Sequence, residues 1–429
     1  MLNSLKLYTK YFSLALISMQ KLKYLLNDFK RSKRKKFFVI PVKSPVQKKE
    51  ALQSAINWLL RAQQMMPDDG FGSFHLINGW SSSYPETSGY IIPTLLESVE
   101  VSGEDVVRGK ALQSAEWLIS IQKESGGWQG GRINESKPEI VFNTGQVIRG
   151  LLAAYSYTDE SKYLDSARKA ANWLCDVQHE NGYWKKNALM EQPRVYDSYV
   201  DAPLLHLWKI TNETRYKKHA IRNLNWIVDL KQLENGWFED CDNTVKRNDK
   251  PILHTISYTI DGLLDCGMLL EDEKYIRAAC KPADILLHKF VGDSYLNSRF
   301  NRQWHGSEYM MVTGSAQIAI VWLKLANLKN SREYYDAACR MIDLLIYVQD
   351  RDRFDLPDLK GAMPGSFPIW GRYEPFAFPN WASKYFCDLL YLRTKNQENF
   401  SCQSSVIANR VSGVLISRRK NLPGGKRWN

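Results

Sequence analysis

A tryptophan followed five positions later by a glutamine recurs along this chain, and this repeat constrains the fold more than any other feature. Clear copies pair Trp58 with Gln63, Trp117 with Gln122 and Trp173 with Gln178, and a fourth pairs Trp226 with Gln232 one position late. Weaker copies end near His288 and at Gln349, and three copies are followed by Gly127-Trp128, Gly182-Tyr183-Trp184 and Gly236-Trp237. A period of several tens of residues indicates a repeated structural unit.

Two kinds of helix alternate in the predicted structure. Each motif closes a segment with apolar residues on one face, which predicts amphipathic helices over 49–64, 107–123, 161–179, 213–232, 271–289 and 331–349. A second series, apolar on all faces, begins near Glu86, Phe142, Asp197, His254, Thr313 and Asn380. Because a helix that is apolar all round is buried and a one-faced helix lies outside, we predict an all-α fold, an (α/α)6 toroid of six outer and six inner helices.

The charge of the chain is concentrated outside this toroid. The toroid is expected over residues 46–400, between a basic amphipathic arm at 1–45 and a C-terminal helix with a basic tail at 401–429. The first 50 residues carry 13 Lys and Arg against 2 acidic residues, so the net charge of +12 does not describe the toroid. We therefore predict no nucleic-acid partner, and the absence of Gly-x-Gly-x-x-Gly and Walker A motifs argues against nucleotide binding.

The arm has the pattern of a surface-binding helix. Apolar residues recur every three or four positions from Leu5 to Phe29, and a basic run from Lys30 to Lys36 follows. Such a helix can lie on an anionic membrane surface through residues 1–36. The alternative is a helix that packs on the toroid, followed by a solvated basic linker.

The cysteines and the hydropathy bear on location. Seven scattered cysteines without a Cys-x-x-Cys pair favour a reducing compartment over a disulfide framework or structural zinc. No apolar run reaches the length of a membrane-spanning helix. We expect a cytoplasmic protein that can lie peripherally on the inner membrane face.

The starts of the inner helices should meet at one end of the ring, together with the loops before them. Their free N–H groups and partial positive charge suit an anionic or hydroxyl-rich ligand. Ser, Thr, Asn and Asp are common at any helix N-terminus, so some of the polar residues there need no further role. The predicted ligand-binding residues are Glu86, Asn143, Gln146, Asp197, Trp304, Trp370, Arg372, Tyr373, Glu374 and Lys384.

The tryptophan–glutamine repeat resembles the QW repeat of the squalene-cyclase and protein-prenyltransferase superfamily, over about residues 50–350. The resemblance implies a toroid in which Gln and Trp tie one outer helix to the next. The chemistry transfers badly, because Asp240-Cys241-Asp242-Asn243 lacks the last acid of the Asp-x-Asp-Asp motif of class II cyclases. Metal binding by Asp240, Cys241, Asp242 and His254 stays open, but we predict no metal and no cofactor.

A second resemblance covers residues 360–384, from Lys360-Gly361-Ala362-Met363-Pro364 to Asn380-Trp381-Ala382-Ser383-Lys384. This segment is similar to toroid proteins encoded with bacterial surface-polysaccharide genes. The same toroid hosts uronate lyases, unsaturated-glycan hydrolases and sugar 2-epimerases, which implies chemistry on sugars.

Four residues are predicted to carry that chemistry. His254 opens the fourth inner helix with Tyr258 one turn later on the same face, and His305 and Glu308 lie in the loop before the fifth inner helix. A His–Tyr pair suits a lyase, a pair of histidines suits an epimerase, and Glu308 with Glu374 or Asp197 suits a hydrolase.

The sequence therefore favours a carbohydrate-active enzyme, a lyase, hydrolase or epimerase, that acts on a glycan or glycolipid in surface-polysaccharide metabolism. The alternatives are a terpenoid cyclase or prenyltransferase-like enzyme, and a glycan-binding toroid without catalysis.

Overall fold

The computed structural model describes residues 19–33, 40–102, 105–349, 356–396 and 400. After α1 (Met19–Lys33), outer and inner helices alternate. The outer helices are α2 (Pro45–Gln64), α4 (Asp105–Ser120), α6 (Ser161–Asp176), α8 (Thr214–Leu230), α10 (Glu273–Asp293) and α12 (Arg332–Val348). The inner helices are α3 (Pro85–Ser102), α5 (Val141–Thr158), α7 (Ser198–Thr211), α9 (Leu253–Leu270), α11 (Val312–Lys329) and α13 (380–396). The predicted all-α toroid is confirmed, and each inner helix begins within one residue of its expected start.

The ring is closed rather than an open solenoid. Gln349, just after α12, donates from Nε2 to the carbonyls of Ala51 in α2 and Gly361, at 2.9 and 3.1 Å. In the inner layer, Thr94 of α3 donates to Asp388 of α13 over 2.6 Å. Both layers thus join the last repeat to the first.

The glutamines at the ends of the outer helices make equivalent hydrogen bonds. Each donates from its Nε2 to a main-chain carbonyl of the next outer helix, at 2.7 to 3.0 Å. The pairs are Gln63 with Lys110, Gln122 with Ser166, Gln178 with His219, and Gln232 with Ala278. The repeat is therefore a device that ties neighbouring outer helices together.

Two of the three loop tryptophans of the repeat are structural. Trp128 and Trp184 are fully buried, and each indole donates over 2.8 Å to a carbonyl of the preceding outer helix, Leu118 and Leu174 respectively. The glycine of the motif is required because Gly182 has a φ of +97° and a Cβ there would lie 2.5 Å from the Arg222 carbonyl.

Short strands brace the loops between outer and inner helices. One sheet joins β1 (Phe74–His75), β2 (Gly79–Trp80) and β6 (Ala377–Phe378), in the order β2-β1-β6. The other joins β3 (Asn297–Phe300), β4 (Gly306–Met311) and β5 (Ser366–Phe367) in chain order. Most of these strands are too short to give a readable alternation of apolar and polar residues, so the sequence did not predict them.

The arm helix α1 packs on the toroid. Tyr24 is buried, with its ring 6.0 Å from that of Phe378, and buried Asp28 accepts the Ile369 main-chain N–H over 2.8 Å. The Arg31 guanidinium lies 4.9 Å from the Tyr347 ring. The predicted helix residues before 19, the basic residues 34–36 and the C-terminal segment 401–429 lie outside the described residues. Among the helices described, none has the length and apolar character to cross a bilayer.

Candidate functional site

The loops after the outer helices and the first turns of the inner helices form one end of the toroid, which we call the mouth. Glu86 begins α3, Asp197 directly precedes α7 and His254 begins α9. Tyr373 and Glu374 come from the loop before α13. The side chains that meet here come from four different repeats, as the alternation of helices requires.

Glu86 lies at the mouth, in the first turn of α3. Tyr84 donates its phenol to Glu86 Oε2 over 2.7 Å. Burial raises the pKa of Glu86 from 4.5 to about 7, against the opposing effect of that hydrogen bond. Five tyrosines have their pKa raised, first by burial and then by nearby charges that include Glu86: Tyr84, Tyr90, Tyr196, Tyr258 and Tyr373. Glu86 is therefore a carboxyl group surrounded by phenols, and about half of it is protonated near neutral pH.

His254 is held among three aromatic rings. Its ring centroid lies 4.4 Å from Tyr258, 5.8 Å from Tyr373 and 6.4 Å from Tyr385. Its Nδ1 is 2.7 Å from Gln317 Oε1. With that oxygen as acceptor, Nδ1 carries the proton and Nε2 the lone pair. Burial lowers the pKa of His254 to about 4, against the hydrogen bond with Gln317, so the ring is neutral and can accept a proton.

Aromatic residues continue below His254. The Tyr258 and Tyr385 hydroxyls are 3.2 Å apart, and the Tyr258 ring lies 5.0 Å from Phe142 and 4.6 Å from Tyr199. One turn deeper, Lys324 pairs with Asp261 and Asp265 at 2.7 Å. The axis of the toroid is thus filled under the mouth, first by phenols and then by ion pairs.

Two more carboxyl groups border the mouth. Burial raises the pKa of Asp197 to about 8, against the charge of Arg194, and Asp197 Oδ2 has no hydrogen-bond partner among the described residues. Burial also raises the pKa of Glu374, and here the charge of Arg132 opposes it. Glu374 has a φ of +46°, and the tyrosine before it, Tyr373, accepts the Trp381 indole N–H over 2.9 Å. Such left-handed backbone in a non-glycine residue costs energy and often occurs at functional sites.

Three of the predicted binding residues are engaged in internal contacts. The Asn143 amide donates to the Gln129 carbonyl over 3.2 Å, and the Gln146 amide donates to the Phe142 carbonyl over 3.3 Å. Lys384 is buried, pairs with Asp388 at 2.6 Å and lies 3.9 Å above the Tyr385 ring centroid. These contacts position the inner helices and leave Lys384 little freedom to neutralise a ligand.

The remaining predicted residues lie in the outer loops of the mouth, which we call the rim. They are Trp304, His305, Glu308, Trp370 and Arg372, and the contacts described below do not join them to His254 or Glu86. Glu308 is held by Arg247 and Arg372 at 3.2 Å and by Arg299 at 3.7 Å. The exposed His305 and the buried Trp304 occupy the turn between β3 and β4, where the Trp304 indole donates to Asn235 in an outer loop. Trp370 packs against Phe29 of α1, with ring centroids 6.0 Å apart.

The possible metal cluster does not assemble, because its members have separate partners. Asp240 pairs with Lys231 and Asp242 with Arg299, at 2.7 and 2.9 Å, while the Cys241 sulfur is 3.6 Å from Thr259 Oγ1. Within the described ranges, no group of three His, Cys, Asp or Glu side chains is placed to hold a metal ion.

The structure adds mouth residues that sequence reasoning missed. They are Tyr84, Tyr90, Arg132, Tyr199, Gln317 and Tyr385. Tyr90 lies four residues after Glu86 and Gln317 four after Thr313, so the helical spacing from each inner-helix start could have found them. Arg132 comes from a loop with no such signal.

Comparisons with known proteins agree with a sugar-processing toroid. The family model described as beta-L-arabinofuranosidase, GH127 catalytic domain, matches residues 46–291. No curated protein matches the chain in sequence. The family matched is not that of the squalene cyclases, so the resemblance of the tryptophan–glutamine repeat to the QW repeat of that superfamily is not confirmed.

Solved structures share the fold at low sequence identity. An unsaturated glucuronyl hydrolase specific for heparin is 15% identical, with a TM-score of 0.67, covering 83% of this chain and 99% of its own. The cellobiose 2-epimerase of Bacillus thermoamylovorans is 10% identical, with a TM-score of 0.64, covering 82% and 100%. A glycosyl hydrolase family 88 protein of Bacteroides vulgatus is 12% identical, with a TM-score of 0.60, covering 81% and 99%. Because the family model spans more than half of the chain, this protein belongs to the family of GH127 beta-L-arabinofuranosidase catalytic domains and is a carbohydrate-active enzyme that acts on glycans.

Proposed function

We propose that the enzyme is a glycoside hydrolase that removes a sugar from a glycan or glycolipid, with Glu86 as the proton donor. The observation that carries this proposal is the position of Glu86 in the first turn of α3, where Tyr84 donates to its Oε2 over 2.7 Å and burial raises the pKa of the carboxyl group to about 7. Hydrolysis of a glycosidic bond needs a carboxylic acid that still holds its proton near neutral pH and gives it to the leaving oxygen. Tyr84 donates to Oε2, which leaves Oε1 as the oxygen that carries the proton.

Glu374 is the proposed second carboxyl group. The charges of Glu86 and Glu374 both act on the Tyr373 phenol, which supports their placement around one site. Arg132 favours the ionised form of Glu374, whereas the described contacts give Glu86 no cation. We therefore assign Glu374 the role of the ionised carboxyl group, as nucleophile or general base. Asp197, with one unpartnered oxygen, is the proposed contact for sugar hydroxyls.

The aromatic side chains of the mouth suit a sugar ring. Tyr373 is fixed by Trp381, and the neutral His254 lies beside it. Apolar ring faces pack against the C–H groups of a sugar, while a few placed polar groups orient its hydroxyls. The first substrate to test is a β-L-arabinofuranoside, because the family description names it.

The test is hydrolysis of p-nitrophenyl β-L-arabinofuranoside and other aryl glycosides by purified protein. We expect kcat/KM to fall as the pH rises through about 7, because Glu86 then loses its proton. Glu86→Gln should lower kcat/KM by on the order of 10²-fold or more. Glu333→Gln, an exposed glutamate at the start of α12, is the matched control and should leave it unchanged. Full activity of Glu86→Gln on a substrate that the wild type hydrolyses would refute the assignment.

A second candidate reaction is proton abstraction from a sugar carbon, as in a lyase or epimerase. The neutral His254, with its ring centroid 4.4 Å from that of Tyr258, supports this alternative. It predicts exchange of a sugar C–H with solvent deuterium, lost in His254→Gln and kept in Glu86→Gln. His305 and Glu308, the other predicted catalytic residues, have no role in either reaction as we propose them.

We also propose a compartment in which the enzyme acts. Six cysteines in the described residues are free, and all but Cys339 are buried, which supports a reducing compartment such as the cytoplasm. A role in surface-polysaccharide metabolism, proposed from the similarity of residues 360–384, would be supported if the enzyme acted on isolated cell-surface glycans.

A further inference from the structure

The outward face of α1 carries apolar and basic side chains together. Met19 and Leu26 are 68% and 48% exposed. The exposed Lys23 and Lys30 lie among them at helical spacings of three and four. This combination of apolar surface and positive charge is the composition of a helix that lies in the headgroup region of a membrane.

The inward face of α1 holds the helix in one orientation. Tyr24, Asp28 and Arg31 are buried on the toroid, and Asp28 accepts the main-chain N–H of Ile369. Asp28 is the one acidic residue of Met19–Lys33, so the outward face carries no carboxylate. The same contacts that dock the helix therefore turn its apolar and basic residues toward solvent.

We propose that this outward face of α1 binds the surface of an anionic lipid bilayer. Met19 and Leu26 enter the headgroup region, and Lys23 and Lys30 contact lipid phosphates. A protein partner fits less well, because lysine is depleted from protein–protein interfaces, whereas basic residues beside apolar ones favour anionic lipid. The basic run Lys33-Arg34-Lys35-Lys36 follows directly in the sequence and adds to that charge complementarity. The proposal does not depend on the reaction that the enzyme catalyses.

The test is co-sedimentation of the full chain with vesicles of phosphatidylcholine, with and without phosphatidylglycerol. We expect binding to the anionic vesicles that falls as salt is added, because counterions screen the lysines. Leu26→Glu should weaken that binding about tenfold or more, since it places a charge in the apolar surface. Leu328→Glu is the matched control, because Leu328 is 45% exposed at the end of α11, and it should bind like the wild type.

Circular dichroism melting of both variants checks that they are folded. Equal binding to neutral vesicles, or equal loss in the two variants, would overturn the proposal. So would a concentration-dependent dimer that Leu26→Glu abolishes without any vesicle binding, since the face would then be a contact between two copies of the chain.

Discussion

Glu86→Gln should become more stable relative to the wild type as the pH rises from 4 to 8. The pKa of Glu86 lies at about 7 in the folded protein against 4.5 in the unfolded chain. A raised pKa contributes stability that is complete below pH 4.5 and is lost as the pH rises through about 7. Glutamine does not titrate, so Glu86→Gln loses nothing over that interval.

The size of the effect follows from the two pKa values. The difference between 4.5 and about 7 corresponds to at most about 3.5 kcal/mol, at about 1.4 kcal/mol for each pH unit. Because the side chain is only partly shielded from solvent, we expect about 2 kcal/mol. The quantity to measure is the free energy of unfolding in urea for wild type and Glu86→Gln at pH 4, 6 and 8.

The difference between the two proteins should grow by about 2 kcal/mol from pH 4 to pH 8, whatever its value at pH 4. Every other titrating group is shared and cancels. Glu333→Gln, at an exposed position, should show no such growth. A difference that stays flat within about 0.5 kcal/mol would refute the raised pKa and with it the proton donor.

Three further changes test other parts of the structure. Tyr84→Phe removes a hydrogen bond that lowers the pKa of Glu86, so the alkaline limb of the pH–rate profile should move to higher pH. Gln349→Ala removes the hydrogen bonds to the carbonyls of Ala51 and Gly361 and should lower the free energy of unfolding by about 1–3 kcal/mol in urea denaturation. Arg299→Met leaves Asp242 buried without its cation and should lower the free energy of unfolding by about 3–5 kcal/mol in the same assay. For Gln349→Ala or Arg299→Met, a loss below about 1 kcal/mol would contradict the structural role given to that residue.

The helices could be predicted from sequence because their signals are local. One-faced and uniformly apolar segments differ within a dozen residues, and a glutamine marks the end of every outer helix except α10. The same logic located Glu86 and His254, since a polar side chain at the start of a buried helix points to the mouth. The contacts that Gln349 makes with Ala51 and Gly361 could not be read locally, but the alternation of helices already implied a closed ring.

The rim could not be predicted because its contacts join distant parts of the chain. Trp304 was expected to be a sugar platform, yet its indole donates to Asn235, 69 residues earlier. Glu308 was expected to act in catalysis, and its partners Arg247 and Arg372 lie about 60 residues away on either side. Trp370 packs on the arm helix, a contact that no spacing in the sequence indicates.

The arm helix could be predicted from the sequence only in part. The amphipathic pattern located the helix, while the split between a buried face at Tyr24, Asp28 and Arg31 and an outward face at Met19 and Leu26 needed the structure. Packing on the toroid and binding to lipid are compatible because they use opposite faces.

The most direct test of the proton donor is a crystal structure of Glu86→Gln soaked with an aryl β-L-arabinofuranoside or another substrate that the wild type hydrolyses. We predict the sugar ring beside Tyr373 and His254, with its glycosidic oxygen within about 3.2 Å of the residue 86 carboxamide. A sugar bound instead in the outer cavity of about 580 Å³ lined by Lys231, Trp237 and Asn301 would contradict the assignment.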